Sequence, residues 1–333
     1  MLDQSTAVTI FLTASAEATI PPSNKCDNPY RVPSVPLPIV SHPDYDAGFP
    51  TSHRFPMGKY SALVDILTNR GLMGSVSQPD LPSPEWLHLA HEPDYVGQVV
   101  SCTVPPKIER EIGFPVTQRV SLRAQLAAAG TVLAARLALT HGLACNTAGG
   151  SHHARREHGA GFCTFNDVAI ASLVLLSEGL ARNILVVDLD VHQGDGTAQI
   201  LAHEPRVFTF SMHGERNYPV RKAISDLDIA LPDGMEDDAY LSVLAKELPR
   251  LCRMRLWDIV FYNAGVDPHQ EDRLGRLALS NEGLRRREEL VIGSFRKLGV
   301  PVCGVLGGGY SQDVTALAER HAILFEVASR HAG

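Results

Sequence analysis

The segment Ile184-Leu185-Val186-Val187 runs without a break into Asp188-Leu189-Asp190-Val191-His192-Gln193-Gly194-Asp195-Gly196, and no other stretch constrains the fold as tightly. The apolar half reads as a buried strand, and the polar half as its open end. Side chains alternate along a strand with period two, so the pattern predicts that Asp188, Asp190 and His192 face the same way. Desolvating unpaired carboxylates side by side is costly, so this strand end calls for a counter-charge. A divalent cation is the simplest one.

Four further short apolar runs fit strands: Leu143–Thr147, Val207–Ser211, Ile259–Asn263 and Val302–Leu306. Between and after the strands lie helical patterns at Asn166–Glu178, Asp237–Cys252, Asn281–Leu298 and Val314–Ser329. Earlier in the chain, Lys59–Asn69, Glu85–His88 and residues 119–141 also have helical spacing. Short apolar strands alternating with helices predict an α/β fold, with a mostly parallel sheet covered by helices on both faces. Ligands in such sheets bind outside the carboxyl ends of the strands, and every unusual polar cluster here falls just after a strand.

At 333 residues and 44% hydrophobic, the chain can bury a large core. Residues 1–36 are rich in Ser, Thr, Ala and Pro and read as an extended or poorly ordered leader; a single domain is expected over 37–333. A net charge of -7 argues against a nucleic-acid surface. Arg285-Arg286-Arg287 is followed by Glu288-Glu289, so it reads as a solvated helix face. The six cysteines are scattered without CxxC spacing, which points to reduced thiols in a cytoplasmic setting; Cys163 reads as filler. No unbroken apolar run of about 20 residues suggests a membrane span. The N-terminus has no basic residue before Lys25, so a signal peptide is not expected.

Four clusters carry chemistry. Gly149-Gly150-Ser151-His152-His153 follows the strand at 143–147, and Gly161-Phe162-Cys163 lies just beyond it. Paired histidines in a glycine-rich loop are either surface residues or a base and its electrostatic partner. For the second role each ring needs an orienting carboxylate, and Asp188 and Asp195 are available. The acid-ended strand is the second cluster. The third, Tyr262-Asn263-Ala264-Gly265-Val266-Asp267, ends another apolar strand in an acid that either caps a turn or joins Asp190 and His192 on a metal. Three such ligands would leave a coordination position open. The fourth, Gly307-Gly308-Gly309-Tyr310, is either a plain loop or a means of bringing the Tyr310 hydroxyl to that metal; no GK[ST] follows, which disfavours a phosphate loop.

In this order the clusters resemble the zinc-dependent histone deacetylase family of the arginase/deacetylase fold. Phe208–His213 and Asp272-Arg273-Leu274-Gly275 also look familial, and the resemblance covers nearly all of 37–333. Gln193 and the 272–275 segment look most similar to class IV members and prokaryotic relatives. The resemblance implies Asp190, His192 and Asp267 as zinc ligands, with His152 and His153 set by Asp188 and Asp195. It implies Tyr310 as a donor to the oxyanion, and Gly161, Phe162 and Leu274 along a channel for an acyl-lysine stem. A structural potassium ion is implied at Asp188, Asp190, His192, Ser211 and Met212. The chain departs from class I in having Gln193 and a shorter glycine run, and no counterpart of the class I rim acid stands in 105–120. It departs from many class IV members in having Asp195.

The expected activity is therefore metal-dependent removal of acetyl or longer fatty-acyl groups from lysine side chains. Zn²⁺ is the expected ion and Fe²⁺ the alternative. A small acyl-amine is a second substrate class, although an apolar Leu274 disfavours polyamines. A silent acyl-lysine binder or an arginase-like enzyme fits less well, because the ligands and Tyr310 are all present.

Overall fold

The computed structural model describes residues 36–333, so the leader expected over 1–36 lies outside the described residues apart from Pro36. The first half runs β1 (Pro38–Val40), α1 (Lys59–Asn69), β2 (Ser75–Ser77), α2 (Pro84–Ala90), α3 (Pro93–Val100), α4 (Pro106–Ile112) and α5 (Gln118–His141). Next come β3 (Leu143–Asn146), α6 (Asp167–Ser177), β4 (Ile184–Asp188), α7 (Asp195–Leu201), β5 (Val207–Gly214) and β6 (Leu227–Leu231). The chain closes with α8 (Asp237–Met254), β7 (Ile259–Asn263), α9 (Asn281–Arg296), β8 (Val302–Val305) and α10 (Val314–His331).

The strands form one sheet in the order β2-β1-β3-β8-β7-β4-β5-β6, with every pairing parallel. Every residue of β3, β4, β7 and β8 is buried. Successive side chains point to opposite faces, so both faces of the central sheet are covered. The cover comes from two helix groups: α1, α10, α9 and α8 pack in succession, while α5, α6 and α2 pack together. Side-chain caps fix several helix starts: Thr117 opens α5, Asn166 α6, Ser280 α9 and Asp313 α10.

Beyond β1, β2, β6, α3, α4 and α7, which the sequence reading did not pick out, three of its expectations change. β4 ends at Asp188, and residues 189–194 leave the sheet in a bend. Simple alternation therefore does not orient Asp190 and His192; backbone hydrogen bonds do, as described below. Arg287 is fully buried rather than solvated, donating from Nη1 to the carbonyls of Leu189 and Gly265 and pairing with Glu288 at 2.6 Å. Arg285 and Arg286 keep the solvent-side role. Helix α5 is long and apolar enough to cross a membrane by length and composition, but 67% of its apolar window is buried in this domain, which makes it a core helix.

Candidate active site

Four neighbouring strands, β3, β8, β7 and β4, end side by side, and the loops after them supply the site. The loop after β4 folds back on its own carboxylates. Asp188 Oδ1 accepts from the Asp190 amide at 3.1 Å, and Asp190 Oδ1 accepts from the His192 amide at 2.9 Å. Across the loops, Asp267 Oδ1 accepts from the Val191 amide at 2.8 Å, and Asp190 Oδ2 from the Gly308 amide at 2.6 Å. A Cβ at Gly308 would collide with the carboxylates of Asp190 and Asp267, so the glycine run is what lets backbone approach them.

Asp190, His192 and Asp267 are buried, and their ligand atoms lie within 4.8 Å of one another. His192 Nδ1 is 3.0 Å from Asp190 Oδ1 and 3.0 Å from Asp267 Oδ2. One ring nitrogen holds at most one proton, so it cannot donate fully to both carboxylates. Without a cation, burial and the neighbouring Asp190 push the Asp267 carboxyl up to about 7. Burial alone would lower His192, but its hydrogen bonds to the two acids outweigh that and raise it to about 10. Two oxygens and one nitrogen converging on one buried point fit a divalent cation, which would relieve all three groups together.

Behind this cluster stand two histidine–carboxylate pairs. His152 Nδ1 lies 2.7 Å from Asp188 Oδ2, and Asp188 Oδ1 also accepts from Asn263 Nδ2 at 3.0 Å. His153 Nδ1 lies 2.6 Å from Asp195 Oδ1, while Arg155 donates to Asp195 Oδ2 at 2.9 Å. The loop carrying both rings is pinned by Asp167, which accepts from the Gly150 and Ser151 amides at 3.0 and 2.7 Å. Gly161 passes close under His153; a Cβ there would sit 2.6 Å from the ring.

Tyr310 is nearly buried, with its ring 6.0 Å from that of His192 and 5.6 Å from that of Phe162. Burial first, then Asp190 and Asp267, holds its hydroxyl well above the usual phenol range, so it stays a proton donor. The backbone at Tyr310 is held by Asp272 Oδ2, which accepts its amide at 2.6 Å, while Asp272 Oδ1 takes the Leu274 and Gly275 amides. Phe162 adopts a left-handed φ of 66°, uncommon for a residue with a side chain and held by its amide's 2.7 Å bond to Ile112 O. Its ring, with those of Phe55 and Tyr310, forms an aromatic wall.

A cavity of about 400 Å³ opens outward from these groups, bordered by His153, Phe162, His192, Leu274 and Tyr310. A second space of about 20 Å³ lies inward, lined in part by Arg123, Gly149, Gly150, Cys163 and Tyr310. Burial pushes the Cys163 thiol up to about 12, which suits an inert filler. Gly161 lines both spaces, and the parallel register sets Asp188 beside Ser211, with the buried Met212 next in β5. Ser211 Oγ lies 3.0 Å from His213 Nδ1.

Sequence reasoning missed Asp167 and Arg155, gave no role to Asp272 within its familial segment, and read the buried Arg287 as solvated. Arg155 and Asp167 stand in or just after quoted motifs, where an unpaired charge is the available signal. Nothing in the sequence marks Arg287 as buried.

Comparison with known proteins agrees with this architecture. The histone deacetylase domain family matches residues 53–325, a span that holds all four strand-end loops. An uncharacterised protein of Picosynechococcus sp. is 51% identical over 88% of this chain and 98% of its own length. Histone deacetylase 2 of Arabidopsis thaliana is 28% identical over 84% of this chain and 76% of its own. Among solved structures, a histone deacetylase homologue in complex with SAHA superposes with a TM-score of 0.76 at 25% identity, over 89% of this chain and 84% of that one. With the matched span enclosing the whole site, this chain belongs to the histone deacetylase family, in the arginase/deacetylase fold.

Proposed function

We propose that the protein is a zinc-dependent hydrolase that removes a short acyl group from the nitrogen of lysine side chains. The observation that carries this reading is His192 Nδ1 lying 3.0 Å from two buried carboxylates at once, beside two histidine–carboxylate pairs. Asp190, His192 and Asp267 would hold the ion, which when bound polarises the amide carbonyl and acidifies water. Fe²⁺ suits the same donors. A structural potassium ion at Asp188, Asp190, His192, Ser211 and Met212 belongs to the same proposal, supported by the β4–β5 register.

The chain's own groups divide the remaining work. His153 borders the outer cavity, takes a proton from the attacking water and passes it to the departing amine. His152, held between Asp188 and Asp190, supplies positive charge. Tyr310 donates its hydroxyl to the oxygen that becomes negative as the amide turns tetrahedral. The outer cavity takes the amine side of the substrate, and the small inner space favours acetyl over long acyl chains. Leu274 lines the outer cavity without offering an acid to a second cation, which counts against polyamines.

Hydrolysis of acetyl-, butyryl- and myristoyl-lysine peptides tests this. Rates should fall in that order; preference for myristoyl would defeat the short-acyl part, and no turnover of any peptide would defeat the whole reading. Tyr310→Phe should lower turnover by roughly 10² or more with an unchanged melting curve.

A further inference from the structure

The outer cavity is lined by four arginines, Arg54, Arg110, Arg216 and Arg276, against one acid, Glu111. All four arginines are exposed. Arg216 and Arg276 share a single carboxylate, Asp233, at 3.9 and 3.1 Å. Glu111 has His158 within 3.6 Å. Among the described residues, neither Arg54 nor Arg110 has an acidic partner within 4.0 Å. A positive concavity on a chain with a net charge of -7 is a local exception, not a reflection of composition.

Like charges around one opening repel unless an anion enters, and a concave wall concentrates their field more than a flat surface does. Guanidinium groups also match carboxylates geometrically, through paired N–H donors. The cavity runs from the buried His153, His192 and Tyr310 to the exposed arginines, so its arginine-lined end meets the part of the substrate beyond the lysine stem rather than the acyl group. We propose that this mouth selects acyl-lysines carrying carboxylates on the amine side of the scissile bond, with Arg54 and Arg110 as the specificity-determining residues. The proposal rests on the acyl-lysine hydrolase reading above and names the substrate class within it. The carboxylates come either from acidic residues flanking the lysine in a protein or from the α-carboxylate of a free acyl-lysine.

The test compares kcat/KM of the metal-loaded protein on acetyl-lysine peptides flanked by Glu, Ala or Lys, at low and high salt. The Glu-flanked peptide should exceed the Ala-flanked one by about five- to tenfold, as two exposed guanidinium–carboxylate pairs would give. That ratio should fall toward one in Arg54→Gln/Arg110→Gln and shrink at high salt. Faster turnover of free Nε-acetyl-lysine than of its amide would assign the carboxylate to a small molecule; the reverse would assign it to a protein segment. Equal rates on all three peptides, or a preference for Lys flanks, would overturn the proposal while leaving the hydrolase reading intact. If no peptide is turned over, the hydrolase reading fails, and fluorescence anisotropy of the same labelled peptides decides about the mouth. Salt-sensitive binding of the Glu-flanked peptide that the double variant loses would support it, and no such binding would overturn it.

Discussion

His152 and His153 are adjacent, equally buried, and each bound through Nδ1 to a buried aspartate, at 2.7 and 2.6 Å. Their charge states diverge all the same. For His152, burial opposes protonation, but Asp188 and then Asp190 outweigh it and raise the ring to about 9. For His153, burial and then the neighbouring His152 prevail over Asp195 and bring it down to about 4. The difference lies in the other charges around each ring. His152 Nε2 faces a second acid, Asp190, at 3.7 Å, whereas His153 sits beside the charged His152 and shares its aspartate with Arg155 at 2.9 Å. A histidine–aspartate pair therefore does not by itself define a base; the other charges that face the ring decide which of the two stays neutral.

The widest gap between the two pairs should show in turnover. His153→Ala should lower kcat by roughly 10² to 10⁴, the usual worth of a positioned base. His152→Ala should cost less, and the reverse order in steady-state kinetics would exchange their roles.

A subtler effect follows from removing the cation behind Asp195. Arg155→Gln frees that carboxylate to stabilise a protonated His153, so the ring's pKa rises. The acid limb of kcat/KM should then move to higher pH relative to wild type; a limb that stays in place would show that Arg155 does not set His153.

The smallest expected effect is on stability. A histidine lowered to about 4 resists protonation in the fold, so its contribution is intact above the ordinary value near 6.5 and declines as pH falls toward 4. A histidine raised to about 9 works oppositely: its contribution is full below about 6.5 and is lost as pH rises through 9. In metal-free protein, His153→Gln should flatten the acid side of the Tm–pH curve and His152→Gln the alkaline side. Flattening on the opposite sides would contradict the comparison.

Much of this was legible in the sequence because it is periodic or locally clustered. The runs Ile184–Asp188 and Ile259–Asn263 are strands with those bounds, and the polar clusters do follow strands. The rest was not legible. The way Asp190 and His192 turn inward depends on amide donors from Val191, His192 and Gly308, which only the folded loops bring together. β1, β2, β6, α3, α4 and α7 were overlooked: β1 and β2 have three residues each, β6 is half-exposed at a sheet edge, and α7 spans seven residues that begin inside the motif at Asp195. Arg287 sits in a run of charges that reads as solvent-facing, yet packs beneath the loops that carry Leu189 and Gly265. The mouth arginines come from separate parts of the chain and converge only in the fold.

Amide hydrolysis, on the function proposed above, depends on one metal ion held by Asp190, His192 and Asp267. The direct measurement is metal content alongside acetyl-lysine peptide hydrolysis, before chelation, after it, and after Zn²⁺ is restored. One ion per chain is expected at this site, with activity lost on its removal and regained on its return, and neither binding nor recovery in His192→Ala. Turnover that persists undiminished in fully metal-depleted protein would contradict it.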